Sequence, residues 1–181
     1  MCKPFIKKLK TKLTFLAALL ILVPAVSAEK FDVEQEIKIS SSRQAADLKN
    51  KIFSYIDNVI ITQGTLKIHA ELVQVITQEK SDNKIYIAKG SPATFEQTLQ
   101  DGSPINLQAK EIRYEPGMNI VVISGDALLR QEGSEVSGSK ITYNFETEYV
   151  NAESLENAKV ETVLQPKNKT EQPGKSKGKK E

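Results

Sequence analysis

The chain has 181 residues, of which 39% are hydrophobic, 27% charged and 6% aromatic, a length that suits one domain of ordinary size. Five of its 25 basic side chains and its single cysteine lie in the first 28 residues, so the remainder carries a net charge of −3 and no thiol. That remainder gives no support for a nucleic-acid-binding domain and excludes both a disulfide scaffold and a cysteine metal site.

The N-terminus has the pattern of a secretory signal peptide. Lysines precede the apolar run from Leu13 to Val23, and Val26-Ser27-Ala28 is a small-residue cleavage site. The apolar run is shorter than the roughly 20 residues that a membrane-spanning helix needs. We therefore expect cleavage after Ala28, which leaves residues 29–165 as a folded domain outside the inner membrane.

From Ile37 onward the sequence predicts strands. Ile37-Lys38-Ile39 alternates apolar and polar residues as a strand does. For residues 40–47 we expect an irregular link or one helical turn, because the serines and helix formers there show no alternation. Residues 52–56 then predict a strand that ends in a turn at Asp57-Asn58.

The clearest β signal is a stretch of 15 residues from Val59 to Val73, with Gly64 at a predicted hairpin turn. It recurs 68 residues later without a gap, and its second half appears a third time at residues 107–114. The shared pattern is apolar, any residue, Ala or Gly, any two residues, apolar, any residue, apolar. This spacing keeps the alternation but shifts its phase once, as a β-bulge or bend does.

The later segments continue this alternation of strands and turns. Residues 85–90 and 93–99 predict strands on either side of a corner or bulge at Pro92, which lacks a ladder donor. Turns are expected at residues 101–102, 116–117 and 132–134, and further strands at 107–114, 120–125, 128–131, 135–136, 141–145, 149–150 and 160–164. Frequent turns without a helical period predict an all-β sandwich, roll or barrel. Residues 166–181 have no apolar side chain and predict a disordered lysine-rich tail.

Residues that could carry catalysis or bind metal are scarce. The only histidine, His69, lies in the repeat where the other copies have Gln108 and Ser137, which indicates an exposed strand position. No glycine-rich loop opens a helix, so a phosphate-binding loop is unsupported. We predict no enzymatic activity, no cofactor and no metal site. The aliphatic strands leave two interpretations open: a packed sandwich core, or a roll whose interior is partly open to hold acyl chains.

Four segments in register carry a family resemblance, namely residues 58–70, 90–95, 125–131 and 138–143. They resemble the OstA-like family of periplasmic lipopolysaccharide-export bridge proteins, in order from about Ile37 to Leu164. The resemblance implies an open, twisted antiparallel β-jellyroll of about sixteen short strands. It also implies head-to-tail oligomers in the periplasm, stacked between an inner-membrane LptC-like protein and an outer-membrane LptD-like protein.

The resemblance further implies where lipid would lie. Lipid A acyl chains of lipopolysaccharide would occupy the interior, where the family pattern places Ile37, Ile39, Phe95 and Tyr114. The repeat adds its own apolar positions, Val59, Ile61, Ile68, Leu107, Ile112, Leu129, Val136 and Ile141.

The strands at the two ends of the chain are the expected joints between molecules. Exposed strand edges are templates for pairing with another chain, and these edges lie near Ile37 and Ile39 and near Val160 and Val163. Three alternatives remain open: an LptC-like or other component with the same fold, a structural β-domain without ligand, and a soluble carrier that closes around one lipid.

Overall fold

The computed structural model describes residues 32–79, 81–155 and 158–165. Short 3-10 helices span Asp32–Glu34 and Pro116–Met118, and the strands are β1 (Lys38–Ser40), β2 (Arg43–Asp47), β3 (Ile52–Gln63), β4 (Leu66–Thr77), β5 (Lys84–Thr98), β6 (Pro104–Glu115), β7 (Ile120–Gln131), β8 (Ser134–Asn144), β9 (Tyr149–Glu153) and β10 (Glu161–Val163). The predicted signal peptide and tail lie outside the described residues.

All strand pairs are antiparallel, and the ten strands form one sheet. Its pairing order is β1-β3-β4-β5-β6-β7-β8-β10, with β2 also paired to β3 and β9 to β8. The sheet is open, because its N-terminal and C-terminal strands lie at opposite ends of this order. The predicted all-β class and the open antiparallel architecture are confirmed.

Each of the five pairings among the six long strands shifts its register once, near the middle of the strands. In β4 and β6 the shifts fall between His69 and Leu72 and between Gln108 and Glu111, inside the repeated pattern. The predicted phase shift is therefore a β-bulge. It bends each long strand without ending it.

The bulges divide the sheet into two half-sheets. Half-sheet I consists of β1, residues 59–63, 66–70, 93–98, 104–109, 127–131 and 134–138, and β10. Half-sheet II consists of β2, residues 52–56, 72–77, 84–89, 111–115, 120–124 and 140–144, and β9. Each half-sheet thus has eight segments. The expected number of sixteen strands is wrong, because the sixteen segments belong to ten strands, six of which continue through a bulge.

Two local predictions are wrong. Arg43–Asp47 forms strand β2, paired with β3, instead of an irregular link or helical turn. All five of its residues are exposed, so backbone pairing at the sheet edge specifies this strand and no apolar alternation marks it. Asp57 and Asn58 have φ angles of 62° and 50°, and they form the bulge of β3 without reversing the chain.

The core lies between the half-sheets. Inward residues of β3 to β8 form one cluster, and residues of β1 and β9 pack against it. In β4 the inward positions run Leu66, Ile68, Ala70, then after the bulge Val73 and Val75. One strand therefore supplies apolar side chains to both half-sheets, because the bulge resets which residues point inward.

Replacing Leu107 by Ala tests this arrangement. Leu107 is 2% exposed, so the change leaves a cavity in the core and is expected to lower the free energy of unfolding by about 2–5 kcal/mol. Leu155→Ala is the matched control, since that side chain is 76% exposed and the expected change is below about 0.5 kcal/mol. Urea denaturation of both variants measures the difference. Equal stability losses would contradict the placement of Leu107.

Candidate lipid-binding interior

The structure places all twelve predicted groove residues in one apolar cluster. Nine of them are at most 4% exposed: Val59, Ile61, Ile68, Phe95, Leu107, Ile112, Tyr114, Leu129 and Ile141. Ile37, Ile39 and Val136 are partly buried against the same cluster. The residues are thus brought together as expected, while their contact with lipid stays a prediction.

Aromatic side chains join the two half-sheets across this interior. Phe95 of half-sheet I meets Tyr114 of half-sheet II edge to face, with ring centroids 5.7 Å apart, and stacks on Phe145 at 5.6 Å. Tyr143 packs on Phe145 at 4.8 Å, and Tyr86 packs on Tyr114 at 6.1 Å. Such pairs add about 0.5–1.5 kcal/mol each beyond the area they bury.

Sequence reasoning missed Tyr86, Tyr143 and Phe145. The repeat could have found Tyr143, which follows Ile141 by two residues as Tyr114 follows Ile112. Tyr86 and Phe145 carry no such signal, because Tyr86 lies outside the quoted repeats and Phe145 follows the end of β8.

The interior of this structure is filled by its own side chains, as in a packed sandwich core. A cavity of about 810 Å³ lies elsewhere, at the bulges of β7 and β8 beside the segment that follows β9. Its lining combines polar side chains such as Ser124, Ser137, Lys140 and Ser154 with apolar ones such as Leu128 and Leu155. This cavity does not coincide with the predicted lipid site, so acyl chains would have to enter between the half-sheets by separating them.

The interior becomes polar at the β3–β4 turn. Gln63 is 2% exposed, and its Oε1 accepts a hydrogen bond of 3.2 Å from the Tyr114 hydroxyl. Its Nε2 donates to the backbone oxygen of Gln35, also at 3.2 Å. Burial, with smaller contributions from the negative charge of Asp32 and from Tyr86, raises the pKa of Tyr114, so that its hydroxyl remains a donor.

Glutamines occupy the last inward position of three strands at this end. Gln63, Gln97 and Gln131 end the inward alternation of β3, β5 and β7, and they are spaced 34 residues apart in the chain. The sequence repeat contained Gln63 and Gln131, but it gave no reason to join them to Gln97. These amides form a polar rim where the apolar interior ends.

The two ends of the sheet differ in apolar exposure. Ile37 and Ile39 pack partly against the core beside β1, whereas Val160 and Val163 are 40% and 46% exposed at β10. Leu164, directly after β10, is also exposed. Within residues 32–79, 81–155 and 158–165, the C-terminal end therefore presents uncovered apolar side chains next to an unpaired strand edge.

Within the described ranges, no group of three or more His, Cys, Asp or Glu side chains is arranged to hold a metal ion. The same part of the chain has no helix that is both long and apolar enough to cross a membrane.

Known proteins share this sequence pattern and this fold. Residues 38–149 match the family described as "LptA/(LptD N-terminal domain) LPS transport protein". The chain belongs to this family. It is 36% identical to the lipopolysaccharide export system protein LptA of Haemophilus influenzae, over 88% of this chain and 94% of that protein. Identity to LptA of Escherichia coli K12 is 35%, over 94% of this chain and 96% of the relative.

A solved structure of this LPS transport family has the same architecture. It is the crystal structure of LptH from Pseudomonas aeruginosa, described as the LptA-homologous periplasmic component of the conserved lipopolysaccharide transport device. The TM-score is 0.68 at 28% identity, and the match covers 75% of this chain and 99% of that one. The resemblance to a family of lipopolysaccharide-export proteins is thereby confirmed.

A pair of tyrosine variants tests the polar end of the interior. Tyr114→Phe leaves Gln63 Oε1 buried without its donor, and the expected loss is about 1–3 kcal/mol of unfolding free energy. Tyr143→Phe is the matched control, because the Tyr143 hydroxyl is buried without a hydrogen-bond partner in the described ranges and its removal is expected to be neutral or stabilising. Thermal and urea unfolding measure both. A larger loss for Tyr143→Phe would contradict the assigned bond.

Proposed function

We propose that this chain binds the acyl chains of lipopolysaccharide between its half-sheets and passes the lipid across the periplasm from the inner to the outer membrane. The observation that carries this proposal is one apolar interior that runs across β3 to β8 in a sheet open at both ends. Membership of a family of LPS transport proteins supports the same function.

The chemistry of the cargo explains why such an interior is useful. Exposing acyl chains to water costs about 0.8 kcal/mol per CH₂ group, so a lipid with several chains could cost tens of kcal/mol to carry through solvent. A continuous apolar path removes most of that barrier. It needs no catalytic group, and the direction of transport must come from an energy source elsewhere, because a passive site favours neither direction.

The strand directions support assembly into a bridge. Neighbouring segments of each half-sheet run in opposite directions, and each half-sheet has eight of them. Its first and last segments are therefore antiparallel, β1 to β10 in one half-sheet and β2 to β9 in the other. A second copy placed in the same orientation would therefore meet the first with antiparallel pairing at both half-sheets. Such a heterologous joint repeats along a rod and aligns the interiors of successive copies.

The proposed partners follow from the same joint. An LptC-like protein at the inner membrane and an LptD-like protein at the outer membrane would cap the two ends with half-sheets of the same fold. The leader expected at residues 1–28 would deliver the chain to the periplasm.

Site-specific photo-crosslinking tests lipid binding. A benzophenone side chain at Phe95 or Tyr114, both buried inward, is expected to capture lipopolysaccharide. The matched controls are Lys67 and Lys110, which are exposed on the outer alternation of β4 and β6 and should give no lipid adduct. The readout is an adduct that reacts with an antibody to lipopolysaccharide. Equal labelling at all four sites would contradict an interior site, and no labelling at any would favour a structural domain without ligand.

Proline substitutions at the two edges test assembly. Val163→Pro removes a backbone donor from β10 and is expected to abolish the growth of mass with protein concentration while the monomer stays folded. Lys159→Pro, in the segment before β10, is the control and should leave growth unchanged. Multi-angle light scattering across a dilution series gives the masses.

Mixing two edge variants distinguishes a head-to-tail joint from a symmetric one. Ile39→Pro prevents pairing at β1, and Val163→Pro prevents pairing at β10. In a mixture, only β10 of the Ile39→Pro protein can pair with β1 of the Val163→Pro protein, so assembly is expected to stop at dimers. A symmetric joint between like edges would instead let each variant dimerise alone. That second result would contradict a propagating bridge.

A further inference from the structure

An unusual set of donors surrounds the carboxylate of Asp32, in the first 3-10 helix. The backbone N–H of Thr65 donates to Oδ1 at 2.7 Å, and the Thr65 hydroxyl donates to Oδ2. Gln97 Nε2 donates to the same Oδ2 at 2.8 Å. Hydrogen bonds to a carboxylate are about twice as strong as those between neutral groups. One anion is thus held by three donors, two from Thr65 in the turn before β4 and one from Gln97 of β5.

The backbone of the β3–β4 turn and of β5 holds these donors in position. Gly64 has φ +59°, and a Cβ at this position would overlap Oδ1 of Asp32, so the turn leaves room for the anion. The Thr98 N–H donates to Thr65 Oγ1 at 3.1 Å, and of the two acceptors of the hydroxyl proton, the Asp32 carboxylate is closer than the Thr98 oxygen at 3.3 Å. The donors are therefore fixed by the sheet and do not depend on the segment that carries Asp32.

One polar atom beside the anion has no partner among the described residues. Gln97 gives its amide N–H to Asp32, and its Oε1 is buried without a donor from that part of the chain. A buried acceptor left unpaired costs about 1–3 kcal/mol. The site therefore has an unfilled place for a hydroxyl or amine next to a bound anion, and Asp32 itself cannot supply that donor.

The site lies where the apolar interior ends. Gln97 follows Phe95 by two residues on the inward side of β5, and Gln63 belongs to the same polar rim. The segment that carries Asp32 covers this rim, since its Gln35 oxygen accepts from Gln63. A lipid with acyl chains against Phe95 would bring its polar headgroup to these donors.

We propose that Thr65 and Gln97 form a binding site for a phosphate monoester, and that Asp32 occupies this site as an intramolecular substitute until a phosphorylated ligand displaces it. Phosphate offers three acceptor oxygens to the N–H, O–H and amide donors, and a neighbouring sugar hydroxyl satisfies Gln97 Oε1. This inference rests on the proposed function, because the phosphate in question is that of the lipid headgroup.

Displacement has a structural consequence. Asp32 is held by the donors that the ligand would take, so ligand binding releases the first 3-10 helix from the β3–β4 turn. The carboxylate and the ligand compete for one site, and the competition lowers the apparent affinity for the ligand. Removing the carboxylate is therefore expected to strengthen binding of phosphorylated ligands alone.

The test compares Asp32→Ala with Glu34→Ala, which removes an exposed carboxylate from the same 3-10 helix. The probes are lipid A with its phosphates and the same lipid after enzymatic dephosphorylation, titrated against full-length secreted protein. Asp32→Ala is expected to bind phosphorylated lipid A on the order of tenfold more tightly and dephosphorylated lipid A unchanged. Glu34→Ala should match the parent for both.

Several outcomes would overturn the proposal. If Asp32→Ala gains affinity equally for both lipids, Asp32 only holds the rim closed. If Asp32→Ala loses affinity or gains none, Asp32 is a structural support. Gln97→Leu is the second variant, since it removes a donor from the site and keeps the Asp32 carboxylate. It is expected to weaken binding of phosphorylated lipid A only, and an equal effect on both lipids contradicts the proposal.

Inorganic phosphate separates this inference from the proposed function. The amide resonance of Thr65 in the Asp32→Ala protein is expected to shift on phosphate titration, and the shift should vanish when Gln97→Leu is added. A shift with free phosphate means that any phosphate monoester fits, whereas a shift with lipid A alone assigns the lipid source. No shift with either probe overturns the anion site. Failure of both lipids to bind any variant contradicts the proposed function, while the phosphate titration still reports on the site.

Discussion

The single phase shift in the middle of each long strand is the constraint on which this structure depends. Side chains alternate with a period of two, so one extra residue transfers the apolar set to the opposite face of a strand. Here that transfer coincides with a bend, and the new face is again the inner one. A strand such as β4 can then line both half-sheets, with Ile68 before the bulge and Val73 after it. Without the shift, one half of every long strand would point its apolar residues into solvent.

The sequence was informative wherever burial imposes a period. The repeated spacing around Ala70 and Ala109 predicted the bulges, and inward positions followed from the same alternation. It was uninformative where backbone pairing acts alone, as in β2, whose five exposed residues are specified by the edge of β3. Asp57 was misread because positive φ angles serve turns and bulges equally.

The polar contacts of the candidate site could not be predicted from the repeat, for another reason. Asp32 and Gln97 are 65 residues apart in the chain, and their hydrogen bond arises only when the N-terminal segment is laid over the sheet. Gln63 and Tyr114 meet across the two half-sheets, 51 residues apart. Single polar contacts of this kind depend on the finished fold. The alternation of apolar residues, by contrast, can be read from the sequence of each strand by itself.

An interior that is filled by its own side chains can also bind lipid, because apolar contacts would stabilise both the closed interior and the proposed lipid-bound one. The half-sheets are held together by apolar and aromatic contacts among Phe95, Tyr114 and Phe145. Most of the stabilisation from such contacts comes from the hydrophobic effect, which is non-directional. Acyl chains inserted between the half-sheets, as proposed, would replace those contacts with others of the same kind, so the free energy of opening would fall when lipid is present. The hydrogen bonds at the rim are directional and have no such substitute in an acyl chain. In the proposed headgroup site a phosphate would take over the donors of Thr65 and Gln97, so a phosphorylated headgroup attached to acyl chains would supply both kinds of contact in one molecule.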